Sequence, residues 1–188
     1  LKNLTSVNFS ENNLKHLPGD LFKTNRMLTS INFSGNSLEE LPTDLFKQIE
    51  NLTSVDFSSN DLKSIPTNLF ANCETLYVLN ISNNKIKEVT NESLAKLVQL
   101  RSIDLSYNEI KDLPINLFDN LTKLKTIDFS NNKIKDVSAD VLNDLKNLQY
   151  IDFSCNRIVN LSRYIFMDKS FLVDFRNNID TNDLSDLF

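Results

Sequence analysis

Asn12, Asn36, Asn60, Asn84, Asn108, Asn132 and Asn156 follow one another at intervals of 24 residues without a slip. So strict a period restricts the chain to architectures in which one small unit is copied and stacked, because a unit of this size cannot enclose a hydrophobic core by itself. Around each asparagine the same apolar frame returns. Leu28, Ile31, Phe33, Asn36, Leu38, Leu41, Pro42, Leu45 and Phe46 in one copy correspond to Leu100, Ile103, Leu105, Asn108, Ile110, Leu113, Pro114, Leu117 and Phe118 in another.

Each unit is counted in slots from its first leucine: Leu4, Leu28, Leu52, Leu76, Leu100, Leu124 and Leu148, with a short last unit near Ser170. Slots 3 to 7 alternate polar and apolar, as in Ser30, Ile31, Asn32, Phe33 and Ser34, and period two predicts a five-residue strand with one buried face. Such a strand hides its apolar side only if neighbouring copies stack in parallel and in register. The asparagine at slot 9 then lies where the chain leaves the strand, and its amide is expected to bond turn groups that would otherwise be orphaned, forming a ladder.

Phenylalanine follows the same frame. Phe9, Phe33, Phe57, Phe129, Phe153 and Phe175 occupy slot 6, and Phe22, Phe46, Phe70, Phe118 and Phe166 occupy slot 19, with Phe188 following Phe166. Two aromatic spines running the length of the solenoid are expected, as core and not as a ligand box. Only Phe171 stands outside them. The last unit degenerates: Val173, Phe175 and Asn178 keep the pattern, whereas Asp180 and Asp183 stand where apolar residues belong.

The frame xLxxLPxxLFxxL after the strand, with Pro18, Pro42, Pro66 and Pro114 at slot 15 and Phe at slot 19, resembles the 24-residue typical class of extracellular leucine-rich repeat proteins, most of all the ectodomains of Toll and Toll-like receptors. The resemblance covers residues 4 to about 188. It implies an α/β-type leucine-rich repeat solenoid, with a curved parallel β-sheet on the concave face and loops, turns and short 3-10 segments on the convex side. A single domain spanning 1–188 is expected. The function implied is non-enzymatic protein recognition by a receptor ectodomain, innate-immune or developmental, with dimerisation among its modes; the alternative is an adhesive or structural matrix or cell-surface protein.

The ends and the cysteines fit a piece of a longer array. Leu1 already lies inside the frame, no apolar run is long enough to cross a membrane, and only Cys73 and Cys155 are present, so terminal cysteine caps are not expected. Cys73 takes slot 22, filled later by Leu97, Leu121 and Leu145, and reads as a small core residue. Cys155 takes slot 8 beside a strand, where exposure is expected, several stacking steps from Cys73 and out of disulfide range.

Glycosylation sequons mark an extracellular location. Asn3, Asn51, Asn91, Asn120 and Asn160 lie off the strands and are the candidate acceptors; Asn8, Asn32 and Asn80 also head sequons but sit at slot 5, where the strand itself calls for a polar residue.

Slot 5 carries the sharpest chemical question, because Asp56, Asp104, Asp128, Asp152 and Asp174 fall there, the last four in consecutive units. Stacked carboxylates repel and raise one another's pKa unless something compensates. One reading is a surface for a cation or a basic ligand. The other, which is favoured, has Ser102, Ser106, Thr126, Ser130 and Ser154 with Arg101 and Lys125 satisfying the row in solvent. Paired-carboxylate catalysis ranks behind both. The single His16 has no nucleophile near it in the repeat geometry, and no phosphate loop, metal motif or triad occurs, so an enzyme and a cofactor are not expected. The net charge of −5 argues against nucleic acid. Neighbouring charges such as Lys87 with Glu88, Lys111 with Asp112 and Lys135 with Asp136 read as a solvated rim.

Recognition remains. Slots 2, 3, 5, 7 and 8 are expected to face outward, and in the first three units they are nearly uniform: Thr5, Thr29 and Thr53, then Ser6, Ser30 and Ser54. From the fourth unit they diversify to Tyr77, Val78, Arg101, Tyr107, Lys125, Gln149 and Tyr150, with Arg176 near the end. Aromatic and arginine side chains are the usual anchors of interfaces. Tyr77, Arg101, Tyr107, Lys125 and Tyr150, with Asp104, Asp128 and Asp152, are therefore the candidate binding set for a protein ligand or receptor partner, with no membrane contact by this segment.

Overall fold

The computed structural model describes residues 3–161, 165 and 170–178. Every unit contributes one strand to an eight-stranded parallel sheet: β1 (Ser6–Asn8), β2 (Ser30–Asn32), β3 (Ser54–Asp56), β4 (Val78–Asn80), β5 (Ser102–Asp104), β6 (Thr126–Asp128), β8 (Tyr150–Asp152) and β10 (Leu172–Asp174). Neighbouring strands pair in strict register, Ile31 against Val55 and Ile103 against Ile127. The result is a leucine-rich repeat solenoid.

The strands are three residues long, at slots 3 to 5, and not five. Slot 7 is claimed by a turn. Its N–H is taken by the slot 5 side chain of the same unit, as Ser34 N donates to Asn32 Oδ1 at 2.8 Å and Ser106 N to Asp104 Oδ1 at 2.9 Å. Slot 8 then enters the left-handed region in every unit: φ is 56° at Glu11, 65° at Gly35, 55° at Ser59, 53° at Asn83, 53° at Tyr107, 57° at Asn131, 56° at Cys155 and 58° at Asn177. The strand ends there because a left-handed residue turns the chain off the pleat. Slot 7 is also less open than expected, with Ser106 and Ser130 buried.

The asparagine ladder exists and is more fully bonded than a turn requires. Asn108 Nδ2 donates to Leu105 O and Ser106 O of its own turn and to Ile81 O of the preceding unit, while its Oδ1 accepts from Ile86 N. Asn36, Asn60, Asn84, Asn132 and Asn156 repeat this arrangement and are buried, and Asn178 continues it. Each amide stitches two coils together across a sheet edge that would otherwise leave N–H and C=O groups unpaired.

Beneath the sheet, slots 1, 4, 6 and 11 form a continuous apolar column, with Leu28, Phe33, Leu38, Leu52, Phe57, Leu62, Leu76 and Leu100 wholly inaccessible. The slot 6 rings stack nearly parallel: Phe9 on Phe33 at 5.2 Å, Phe33 on Phe57 at 5.6 Å, Phe129 on Phe153 at 5.8 Å and Phe153 on Phe175 at 5.4 Å. The expectation of spines running the full length is corrected. Ile81 and Leu105 interrupt slot 6, and Leu94 and Leu142 interrupt slot 19, all buried, so the aromatic stacking falls into separate blocks joined by aliphatic packing of similar volume. Phe171 is half-buried against the same core. Phe166, Phe188, Asp180 and Asp183 lie outside the described residues, as does the side chain of Asn160.

The side opposite the sheet is set by slot 15. Where it is proline the chain makes a hydrogen-bonded turn, Leu21 N to Pro18 O, Leu45 N to Pro42 O, Leu69 N to Pro66 O and Leu117 N to Pro114 O. Where Thr90 or Ser138 stands instead, a short helix starts: α1 (Asn91–Leu94) after Thr90, and a 3-10 turn (Ala139–Leu142) whose cap Ser138 accepts from Asp140 N. A second, two-stranded parallel sheet also forms on this side between β7 (Asp136–Val137) and β9 (Asn160–Leu161).

Candidate recognition surface on the strand face

Slots 2, 3 and 5 place their side chains above the sheet because slots 1, 4 and 6 are pulled into the core. In the first three units this surface is a lattice of small hydroxyls. Thr29 Oγ1 donates to Thr5 O and Thr53 Oγ1 to Thr29 O, which turns the side chains onto the backbone and leaves few groups projecting.

The character changes at β4. Tyr77 is 39% exposed and Val78 42% exposed, and the Arg101 guanidinium lies 5.0 Å from the centre of the Tyr77 ring. This cation–π contact seats the guanidinium over the aromatic face, and Arg101 is otherwise exposed. Lys125, one strand further, is exposed. The structure therefore brings Tyr77, Val78, Arg101 and Lys125 together on adjacent, in-register strand entries. Tyr107 is 59% exposed but sits at slot 8, beyond the far end of β5, about 20 Å of strand and turn from slot 2. Tyr150 is half-buried: its hydroxyl donates to Asp152 Oδ2 at 2.9 Å, and burial first, then that carboxylate, pushes the phenol up to about 12. Arg176, another outward-facing candidate, is spent on Asp174, which accepts from its Nε, Nη2 and backbone N.

The slot 5 carboxylates are satisfied in part as expected, by the Ser106 hydroxyl on Asp104 and that of Ser130 on Asp128, but not by the cations. Neither Arg101 nor Lys125 forms an ion pair with them among the described residues. Each instead caps its own turn. Ser58 N donates to Asp56 Oδ1, Ser106 N and Oγ to Asp104 Oδ1, Ser130 N to Asp128 Oδ1, and Ser154 N to Asp152 Oδ1. Asparagine does the same at Asn8, Asn32 and Asn80, so slot 5 requires a short side-chain acceptor and not a charge. Stacking still has a cost at the middle of the row. Burial raises the Asp128 pKa above the usual carboxylate range, opposed by hydrogen bonds from Ser130 and reinforced by the charges of Asp104 and Asp152.

Off this face, the short ion pairs run between units, while Lys47 and Asp44 pair within one unit at 3.7 Å. Lys63 reaches Glu39 at 2.6 Å, Lys85 reaches Asp61 at 2.6 Å and Lys133 reaches Glu109 at 2.7 Å, because residues 24 apart stand directly above one another. Among the described residues these inter-unit partners, rather than the adjacent Lys87–Glu88 and Lys111–Asp112, form ion pairs along the rim. Cys73 is fully buried, its thiol pushed up to about 12 by desolvation. Cys155 is half-buried rather than exposed, because Asn177 of the last unit stacks over it with Nδ2 3.5 Å from Sγ. His16 borders a shallow cleft with Glu40, Leu41, Pro42 and Thr43. Among the described residues no group of three His, Cys, Asp or Glu is placed to hold a metal, and no helix is long and apolar enough to cross a membrane.

Of the sequons, Asn3, Asn51 and Asn120 are exposed. Asn91 is half-buried, its Nδ2 donating to Asn116 O at 2.8 Å, and the Ser93 of its sequon is buried with its hydroxyl given to Thr90 O.

A family model described as BspA type leucine rich repeat region matches the chain in 6 copies, over residues 1–99 and 39–173. The chain belongs to this family. No curated protein matches it by sequence. Among solved structures, the crystal structure of the TLR13–ssRNA13 complex superposes with a TM-score of 0.86 at 26% identity, covering 94% of this chain and 25% of that one. A leucine-rich repeat protein of Leptospira interrogans superposes with a TM-score of 0.84 at 26% identity, covering 94% of this chain and 44% of that one. The chain is thus a leucine-rich repeat array resembling a segment of a Toll-like receptor, and it spans less than half of either relative.

Proposed function

We propose that the strand face of the fourth to seventh units is a protein-recognition surface, carried by an extracellular receptor or surface protein of the Toll-like kind. The observation that carries this reading is the abrupt change at β4. A surface of small hydroxyls, with Thr29 and Thr53 bonded to neighbouring backbone, gives way to exposed Tyr77 and Val78 with Arg101 over the tyrosine. An exposed aromatic–arginine pair on a rigid parallel sheet is preorganised, so little conformational entropy is lost when a partner covers it. Tyr107 adds a second exposed aromatic, 59% exposed, beyond the far end of β5. BspA-type repeats are often found on surface or secreted proteins, and exposed sequons at Asn3, Asn51 and Asn120 agree with that location. The ssRNA of the TLR13 complex is a nucleic acid partner; in the present chain the Asp row beside Arg101 and Lys125 disfavours one.

The test is capture of binding partners from extracellular fluid on the immobilised chain, followed by affinity measurement with two variants. Replacing Tyr77, Arg101, Lys125 and Tyr150 by alanine is expected to weaken binding at least about a hundredfold, as for loss of several interface anchors. Replacing Thr5, Thr29 and Ser30 by alanine is expected to leave it unchanged. Equal binding by all three proteins would refute the reading and favour a structural or adhesive role along the rim.

A further inference from the structure

The strand face holds charges of both signs, but only one sign lacks partners. Every slot 5 carboxylate accepts at least one hydrogen bond from its own turn, Asp152 also takes the Tyr150 hydroxyl, and Asp174 is clamped by Arg176. Rim lysines Lys63, Lys85 and Lys133 have their own acids. Arg101 and Lys125 are different. They are exposed, they occupy the same slot on adjacent strands, and among the described residues the Arg101 guanidinium meets the Tyr77 ring and no carboxylate, while Lys125 has no ion pair. In a chain of net charge −5, two cations held side by side without a carboxylate are the feature the rest of the face does not explain.

We infer that this surface receives a short acidic segment of a partner protein, with two carboxylates set over Arg101 and Lys125 and an adjoining apolar side chain seated on Tyr77 and Val78. The inference rests on the strand-face reading above and names the chemistry of its partner. Adjacent parallel strands stand about 4.8 Å apart. Side chains four residues apart on a helix have Cβ atoms about 5–6 Å apart and point the same way, so a helical Glu-x-x-x-Glu pair can reach the two cations. Seated over the Tyr77 ring, the exposed Arg101 guanidinium keeps N–H donors for a carboxylate, a charge-assisted pair, and Val78 at 42% exposure supplies the apolar seat beside it. A peptide is favoured over a single-stranded nucleic acid by what lies next to the cations. Slot 5 is about 10 Å along the strand, and a continuous phosphate chain would have to pass near Asp104, Asp128 and Asp152. A peptide can place its acids over slot 2 alone and turn neutral or basic residues toward the aspartates.

The experiment uses the whole chain and three fluorescent probes: a helical peptide with Glu four residues apart and Leu beside them, the same peptide with Lys for Glu, and an oligouridylate RNA. Binding is followed by anisotropy at low and high salt. Preferential binding of the Glu peptide, weakened by salt, is expected, with at least about a tenfold loss in the double variant Arg101→Glu, Lys125→Glu. That variant should in turn bind the Lys peptide better than the parent does. Both positions are exposed, and an unchanged circular dichroism spectrum separates lost binding from lost fold. A Glu peptide that fails to bind, or binds the double variant as well as the parent, overturns the inference. So does RNA binding abolished by the double variant. Preference for the Lys peptide, lost on Asp128→Asn, also overturns it while leaving the strand face as the recognition surface.

Discussion

Replacing Asn108 by alanine tests the ladder with a magnitude that can be worked from the structure. The side chain makes four hydrogen bonds, three from Nδ2 and one to Oδ1. Removing it orphans Ile86 N–H, which belongs to a wholly inaccessible residue and costs about 1–3 kcal/mol. The three carbonyls suffer less. Ile81 O keeps Asn84 Nδ2, Leu105 O keeps Asn132 Nδ2 and Ser106 O keeps Asn83 N, so each loss falls near the low end, about 0.5 kcal/mol. The expected total is about 3 kcal/mol, or a drop of roughly 1 M in urea midpoint for an m-value of about 2–3 kcal/mol/M. Asn12 is the internal control. It is exposed and makes two bonds, both within its own turn, so Asn12→Ala should cost less than about 1 kcal/mol. The assay is urea unfolding followed by circular dichroism. Equal effects at the two positions, or a loss below about 1 kcal/mol at Asn108, would refute the claim that the amide joins neighbouring coils.

Phe33 lies between Phe9 and Phe57 and against Phe22, so Phe33→Ala should cost about 3–5 kcal/mol by the same assay, and Phe33→Leu much less, because leucine already fills this slot at Leu105. Cys155 should react with a thiol reagent at pH 8 in the native state while Cys73, with its thiol pushed up to about 12, reacts only on unfolding; simultaneous labelling would contradict the burial. Asp128 has a folded pKa raised by burial, so ionisation is disfavoured by folding: the cost is absent below the unfolded pKa and present once pH exceeds the folded one. Asp128→Asn, which keeps the cap, should therefore match the parent at acid pH and gain in relative stability as pH rises through the carboxylate range. In a secretory host, mass spectrometry should find glycans at Asn3, Asn51 and Asn120 and none at Asn91, whose sequon serine is buried.

Much of this was legible because the repeat turns sequence separation into position. Residues 24 apart stack, which placed the ladder, the core slots and the buried Cys73 before any coordinates. What escaped depended on local turn geometry that periodicity does not encode. The aspartates at slot 5 looked like a charge problem because the slot 7 N–H that satisfies them is a backbone group, invisible in a pattern of side chains. The clue was present in Asn8, Asn32 and Asn80, which share the acceptor but not the charge. The left-handed slot 8 was hidden by its variety, Glu, Ser, Tyr and Cys among Gly and Asn; one glycine and three asparagines in a column of eight were the available signal. Neighbouring charges read as a solvated rim, and the pairing of Lys133 with Glu109 across a coil was not anticipated. The candidate surface stood out in sequence by contrast, as the departure of Tyr77 and Val78 from Thr and Ser, but the seating of Arg101 on Tyr77 and the engagement of Arg176 and Tyr150 by aspartates required side-chain positions.

The central claim, that recognition belongs to the strand face from β4 onward, is met most directly by side-chain oxidation footprinting of the chain with and without its captured partner. The account predicts that Tyr77 and Tyr107 lose reactivity on binding while Met27 and Ile115, 55% and 63% exposed elsewhere on the solenoid, do not change. Protection of Met27 or Ile115 with Tyr77 and Tyr107 still reactive would contradict it.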